Sequence, residues 1–286
     1  MPLLFLFVSE ALESEHKTLK IRSPYLIPPH TKVRLKQHDP SDTGKYKDQD
    51  AAKIDLEKHR DRLDKLQEVL YAGAERGLLI VLQGMDTAGK DGTIRHIFSG
   101  VNPQGCDVTP FKVPTPLEAH HDFLWRCHFA VPQRGMIGIF NRSHYEDVLS
   151  PRVHGHMKDK TAMEHMQQIN DFESMLVDNG IAVLKFFLHI SPEEQKRRLQ
   201  SRSDDTSKHW KLSASDFAER KFWPDYQRYY EEIFTHTSHK HAPWFVIPSD
   251  NKWFRNVAIS NILADAMDGM KLKYPAVSVD VSTLKL

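Results

Sequence analysis

Apolar positions along this chain follow two rhythms. Short runs at Leu78–Leu82, Met136–Phe140, Ala182–Ile190 and Trp244–Pro248 are almost unbroken, interrupted only by residues such as Lys185 and His189. Runs of that length, rich in Val, Ile, Leu and Phe, belong to strands buried on both faces of a parallel sheet. Between them the apolar residues return every three or four positions. Leu56, Leu63, Leu66 and Leu70 stripe a helix from Asp50 to Arg76 that Gly77 should stop. Thr161 to Asn179, ended by Gly180, and Trp253 to Met270 give two more. CDVTPFKVP supplies a further strand ending at Lys112 and Pro114, and Pro116 to Ala130 reads as a helix with Phe123, Leu124 and Cys127 on its apolar side and Arg126 off it. Ser213 with Asp216 forms a capping pattern that restarts a helix, and Pro224 should kink it. Five strands alternating with helices predict an α/β protein with a parallel sheet covered on both faces.

The first strand runs into GMDTAGKDGT, where Gly84, Gly89 and Lys90 fall at the G-x-x-x-x-G-K spacing of a P-loop. Glycines at those places let the backbone fold back so that its N–H groups face phosphate oxygens, and the next helix adds its positive N-terminus. Lys90 supplies a mobile charge. Asp91 stands where common P-loops carry the Ser or Thr that ligates magnesium, and Asp86 lies inside the loop. Carboxylates repel phosphate unless a cation lies between, so one acid should hold a metal, and Asp86 is the better placed. Asp91 has an alternative role in the first turn of a helix, where the dipole stabilises an acid.

The strand at Met136–Phe140 leads directly into Asn141, Arg142, Ser143 and Glu146. In open α/β sheets functional groups sit beyond the carboxyl ends of strands, so this segment should face the P-loop. Further on, a basic stretch divides in two. Lys196 and Arg197 fit the solvated face of a helix, whereas Arg202, Lys208 and Lys211 fall in a loop around Trp210 and suit a lid over bound phosphate.

Composition narrows the setting. The chain has 286 residues, 40% apolar and 27% charged, with a net charge of +1, which points away from a general nucleic-acid or membrane binder. Two cysteines, Cys106 and Cys127, fit a reducing compartment, and the six-residue apolar run near the N-terminus is too short to span a membrane. A cytoplasmic homo-oligomer is the expectation. Residues 1–45 read as an extension whose later part forms an arm over the surface, 46–273 as the domain with its lid at about 198–225, and 274–286 as a tail. The 17 histidines, including His154 with His156 and the run at 236–241, show no metal-ligand spacing.

GMDTAGKDGTI, PFKVPTP, FLWR, IGIFNRSHYEDVL, SRSDDTSKHWKLS and HAPWFVIPSDNKWFRN, in that order, resemble the second family of polyphosphate kinases over roughly residues 40–270. The resemblance implies a thymidylate-kinase-like P-loop core, α/β/α in three layers with a five-stranded parallel sheet and a helical lid. It also implies Mg²⁺ and phosphoryl transfer between inorganic polyphosphate and nucleotides. Matched to the family's motifs, Asp86 is the loop acid, Lys90 the P-loop lysine, Arg142 the arginine after the strand, and Arg202, Lys208 and Lys211 the lid cations. Many relatives carry an acid, then an asparagine, where this chain has Asn141 and Glu146. That variant resembles the subclass accepting nucleoside mono- and diphosphates, so AMP, ADP and ATP are the expected nucleotides.

The expected catalytic set is therefore Asp86, Lys90, Asn141, Arg142 and Glu146, with Asp86 and Glu146 as metal ligands. Phosphate and nucleotide contacts are expected from Gly84, Ala88, Gly89, Lys90, Asp91, Gly92 and Thr93 in the loop, from Lys112, Arg126 and Arg142, and from Arg202, Lys208, Trp210 and Lys211. An ATP-dependent nucleoside monophosphate kinase would use the same core and charges. A catalytically inactive P-loop binding module is a second alternative, against which the intact Asp86, Lys90 and Arg142 count.

Overall fold

The computed structural model describes residue 19, residues 21–277 and residue 279, with Lys211 described in its backbone only. The N-terminal apolar run and the end of the tail lie outside the described residues. Five parallel strands, β1 (Gly77–Gln83), β2 (Cys106–Pro110), β3 (Ile137–Asn141), β4 (Ile181–His189) and β5 (Trp244–Pro248), stand in the order β2-β3-β1-β4-β5. Every residue of β1, β4 and β5 is buried, as their unbroken apolar runs require. β2 lies at one edge and leaves Val108 half exposed.

On one face α1 (Gln49–Gly73) packs against α10 (Lys252–Gly269), which also meets α2 (Lys90–Ile97). On the other, α5 (Glu146–Val153), α6 (Asp159–Asp178) and α9 (Trp223–Thr237) pack together. α7 (Pro192–Asp204) follows β4, and a 3-10 turn at Thr206–Lys211 leads to the short α8 (Ala214–Ala218). Residues 25–27 close the far edge: Leu26 forms an antiparallel bridge with Phe245, Val246 N donates to Tyr25 O at 2.9 Å, and Ile27 N donates to Trp244 O at 2.9 Å. An arm that pairs with an edge strand removes its free ladder groups.

Several boundaries differ from the sequence reading. α1 ends at Gly73 with Ala74 in the left-handed region, and Gly77 is the first strand residue rather than the stop. A Cβ at Gly77 would meet Ile181 Cδ1 at 2.7 Å, so close strand packing explains that glycine. The helix expected over Pro116–Ala130 is two, α3 (Pro116–Ala119) and α4 (Trp125–Ala130), because Asp122 Oδ1 accepts from Leu124 N at 3.0 Å and turns the chain between them. β2 stops at Pro110, before Lys112. Pro224 does not kink a helix but sits in the first turn of α9, where its missing N–H is harmless. Arg202 belongs to the last turn of α7, not to a loop.

Lys185, the polar break in β4, is fully buried. Its ammonium donates to Glu173 Oε2 at 2.5 Å, Thr237 O at 2.7 Å and Tyr145 Oη at 3.0 Å. Tyr145 Oη in turn donates to Glu173 Oε1 at 2.8 Å, with His144 Nε2 at 3.2 Å from the same oxygen. Burial alone would raise the Glu173 carboxyl, but Lys185 and His144 hold it below the usual range. Among the described residues no helix is long and apolar enough to cross a membrane.

Lys185→Met should leave Glu173 buried without its counter-charge and destabilise the fold by about 3–5 kcal/mol, read from urea unfolding. Lys185→Met with Glu173→Leu should recover most of that loss. A single variant as stable as the wild type would show that Tyr145 and His144 suffice to hold the carboxylate.

Candidate active site

The loop after β1 is shaped by conformations that few residues adopt. Gly84 and Gly89 have φ of +154° and +104°, and Thr87 lies at +66°. A Cβ on Gly89 would fall 2.0 Å from Arg255 Nη1, so only glycine allows that guanidinium to lie against the loop. Every carbonyl from Gly84 to Gly89 accepts a bond from within the protein. Lys90 Nζ donates to Gly84 O at 2.7 Å, Ala88 N to Met85 O at 3.0 Å, and Gln195 Nε2 to Asp86 O at 3.1 Å. Arg198 Nη1 donates to Thr87 O at 3.0 Å and Ala88 O at 2.9 Å, Arg255 Nη1 to Ala88 O at 3.1 Å, and Thr93 Oγ1 to Gly89 O at 3.1 Å. With its carbonyls turned into protein donors and the Ala88 N–H spent on Met85 O, the loop leaves its other N–H groups for a ligand, the arrangement that cradles an anion.

β3 delivers the facing segment. Asn141 pairs in register with Leu82, and Arg142 then takes a φ of +63° while its N–H donates to Leu82 O at 3.0 Å. That turn aims Arg142 at the loop, where Nη2 donates to Asp86 Oδ1 at 2.7 Å. Asn141 Nδ2 donates to Asp91 Oδ1 at 2.8 Å. Glu146, the first residue of α5, lies beside Lys90 and Arg142. Burial and the nearby Arg142 push the Lys90 ammonium down, opposed by Asp86, Glu146 and Asp91. Burial raises the Glu146 carboxyl, opposed by Arg142 and Lys90.

In front of the loop lies a cavity of about 550 Å³. It joins Asp86, Gly89, Lys90, Asp91 and Gly92 to Lys112, Asn141, Arg142, Arg202 and Trp210. Ten of the expected residues thus meet at one place. Pro110, Phe111 and Asp216 also line it, and none of them was expected as a site residue. A second cavity of about 470 Å³ adjoins the first, sharing Thr87, Gly89, Gly92 and Arg202. Its walls are cationic: Arg95 from α2, Arg197 and Arg198 from α7, Lys208, and Lys252 with Arg255 from α10, against the single carboxylate of Glu194.

Other expected residues stand elsewhere. Gly84 and Ala88 shape the loop from within, and the buried Thr93 hydroxyl is engaged by Gly89 O. Arg126 is buried, bonded to Asp147 Oδ2 at 2.9 Å and to Lys112 O at 2.8 Å, so it fixes Lys112 rather than lining the cavity. Lys208 lines the second cavity and pairs with Asp205 at 2.6 Å. The Lys211 side chain lies outside the described residues. His154 finds an acid that its sequence neighbours lack, Glu219 Oε1 at 3.0 Å, but no group of three or more His, Cys, Asp or Glu forms a metal cluster among the described residues. Arg198 and Arg255 are functional supports that sequence reasoning missed. The one available signal is at Arg255, a charge among Phe254, Val257 and Ala258 in a helix that is otherwise almost wholly buried.

A parallel sheet with a glycine-rich loop and a lysine beyond the carboxyl end of its central strand defines a P-loop kinase fold. The model of the Polyphosphate kinase 2 (PPK2) family matches residues 46–275, and the chain belongs to that family. It is 45% identical over 252 residues to an AMP/ADP-polyphosphate phosphotransferase of Meiothermus ruber, covering 88% of this chain and 94% of that one. An ADP-polyphosphate phosphotransferase of Rhodopseudomonas palustris is 42% identical over 227 residues, 75% of this chain and 78% of the relative. The crystal structure of Polyphosphate Kinase 2 from Arthrobacter aurescens TC1 superposes with a TM-score of 0.87 at 41% identity, covering 93% and 96% of the two chains.

Arg255→Met should lower kcat/KM by about ten- to a hundred-fold, because the loop loses a carbonyl partner and its amides drift from their positions. Steady-state kinetics with circular dichroism as the control for folding would read this. Full activity in a folded variant would show that Arg198 alone sets the loop.

Proposed function

We propose that this protein transfers a terminal phosphoryl group between inorganic polyphosphate and adenine nucleotides, converting AMP to ADP and ADP to ATP, reversibly and without a phosphorylated enzyme. The observation that carries the reading is the pair of cavities meeting at Thr87, Gly89, Gly92 and Arg202. The first has aromatic and proline surfaces in Trp210, Phe111 and Pro110 beside a mixed set of charges, which suits a nucleotide. The second is walled by cations, which suits a polyanion. Two substrates placed there would present their phosphates to one another across the P-loop.

A nucleotide's terminal phosphate is largely ionised near neutral pH, since its second pKa is about 6, so its oxygen needs no general base. The task left to the protein is alignment and charge neutralisation. Lys90 and Arg142, on the wall of the first cavity, stabilise the transferring group, the loop amides hold its oxygens, and Arg202 reaches both sides. Within the expected 198–225 segment Arg198 is anchored behind the P-loop, so the part after α7 serves as the lid, with Trp210 over the nucleotide. Mg²⁺ fits this donor set: Asp86 lines the cavity, and magnesium takes one or two carboxylates and completes its shell with water and substrate phosphates. Bound there, the ion would supply the charge that offsets repulsion between the two phosphates. Glu146 would balance Lys90 and Arg142 from the buried side.

Use of both AMP and ADP is supported by the Meiothermus relative, whose name carries both nucleotides, and by Asn141. An aspartate at that position would set a carboxylate against Asp91, where now an amide donates at 2.8 Å. The neutral amide avoids that repulsion and would lessen the repulsion felt by a phosphate sitting deeper.

Purified protein given AMP or ADP with polyphosphate, Mg²⁺ and no ATP should form ADP and ATP, and Lys90→Ala should lose on the order of 10² or more in rate. Product only when ATP is supplied as donor would instead establish a nucleoside monophosphate kinase, and no product with either donor would leave a binding module. The two cavities should also separate kinetically. Arg95→Ala with Lys252→Ala should raise KM for long polyphosphate several-fold and weaken its salt dependence, with KM for the nucleotide unchanged. An equal rise in both would mean that the second cavity is not the polyphosphate side.

A further inference from the structure

Gln83 ends β1, one of the three strands buried along their whole length, and is itself 0% exposed. A glutamine in that position must satisfy its whole amide inside the protein. Only one orientation does so. Its oxygen accepts from Ser143 Oγ at 3.1 Å and from Ser143 N at 3.2 Å, which turns its nitrogen toward Glu146 Oε1 at 2.9 Å. The Tyr230 hydroxyl lies 3.4 Å from the same amide. Gln83 thus spans the two halves of the site, rooted in the strand that carries the P-loop and bonded to the segment that carries Arg142 and Glu146.

We propose that Gln83 is a positioning residue for Glu146, and that through this bond it takes part in selecting the acceptor nucleotide. Glu146 has two cations within reach, Lys90 and Arg142, and its lean toward either one changes which charge is left for an incoming phosphate. The Gln83 N–H holds one carboxylate oxygen, and the two Ser143 donors keep that N–H from rotating away. The charge at Glu146 is thereby fixed in place, at a depth where AMP and ADP would present their terminal phosphates differently. The inference rests on the reading above that Asn141 supports use of both nucleotides, and extends it to Glu146 in the same segment.

The test compares Gln83→Met, Glu146→Gln and the double variant, by kcat/KM for AMP and for ADP with polyphosphate as donor. Glu146→Gln should lower the AMP-to-ADP ratio by about ten-fold or more, and Gln83→Met should move it the same way by about three-fold. The double variant should match Glu146→Gln alone, because Gln83 acts through Glu146. A ratio moved by Glu146→Gln but not by Gln83→Met overturns the role given to Gln83. A ratio unmoved by Glu146→Gln overturns the reading of Glu146 itself, and Gln83 is then judged by the double variant on the shared rate, where additive losses refute its action through Glu146. Should Gln83→Met unfold, the near-isosteric Gln83→Glu keeps the shape and sets an oxygen against Glu146. It should shift the ratio at least as far, and an unchanged ratio in a folded Gln83→Glu likewise refutes the proposal.

Discussion

The site depends on two buried guanidiniums behind a loop. Residues 84–89 leave β1 with left-handed turns at Thr87 and Gly89, and the carbonyls of Thr87 and Ala88 accept from arginine side chains, not from a sheet or helix N–H. A buried carbonyl without a donor costs about 1–3 kcal/mol, and several in succession would collapse the loop into another shape. Arg198 from α7 and Arg255 from α10 supply the donors in a fixed planar fork, which a lysine could not. The arrangement has its own cost. Burial, with Arg198 beside it, lowers Arg255 to about 9, and of these two guanidiniums it is Arg198 that pairs with Glu194, at 2.6 Å. Two like charges are kept side by side in the interior because together they turn the loop's amides outward.

In front of the loop the charges nearly cancel. Lys90 and Arg142 face Asp86, Asp91 and Glu146 in a partly buried space, where the acids oppose the lowering of Lys90 and the two cations oppose the raising of Glu146. Such a site has little net attraction for a phosphate until the pairs open. On the proposed reading Asp86 would hold the cation, and the Arg142 guanidinium it now pairs with would then be free for the transferring group. The second cavity works by another rule, since its cations meet one carboxylate and attract a polyanion from a distance. On the proposed reading donor and acceptor would be drawn in by different physics and meet where Arg202 belongs to both walls.

Much of this was legible in the sequence because it is local. The buried strands announce themselves as apolar runs, β5 to the residue, and the P-loop as a spacing between a strand and a helix. Asn141, Arg142 and Asp86 follow from the rule that strand ends carry function. What was misread depends on tertiary partners. Arg126 shows the same composition as a phosphate ligand, yet Asp147 and the Lys112 carbonyl claim it. Arg202 looked like a loop residue because nothing in SRSDD marks where α7 ends. Gln83, Arg198 and Arg255 act on backbone or side chains sixty to more than a hundred residues away, and no periodicity points to a partner at that range.

Both pillars of the site are braced from the core, each by buried charge. Behind the P-loop stand Arg198 and Arg255, and behind the Arg142 segment stands the Lys185–Glu173 pair, whose bonds to His144 and Tyr145 hold the two residues next after Ser143. Rigid supports on both sides leave the 205–215 segment as the part with room to adjust. The side-chain bonds described there are short-range: Asp205 with Ser207 and Lys208, His209 with Ser203 O, and Ser213 with Ser215. Segments tied mainly to themselves open at low free energy, and lids are drawn from that class. A fixed floor under a locally tied cover is what in-line transfer between two anions asks for. In the proposed reaction the floor would set the attack line within a fraction of an ångström, and the cover would bring Lys208 and Trp210 toward Arg202 at the end of α7 once both substrates are in place.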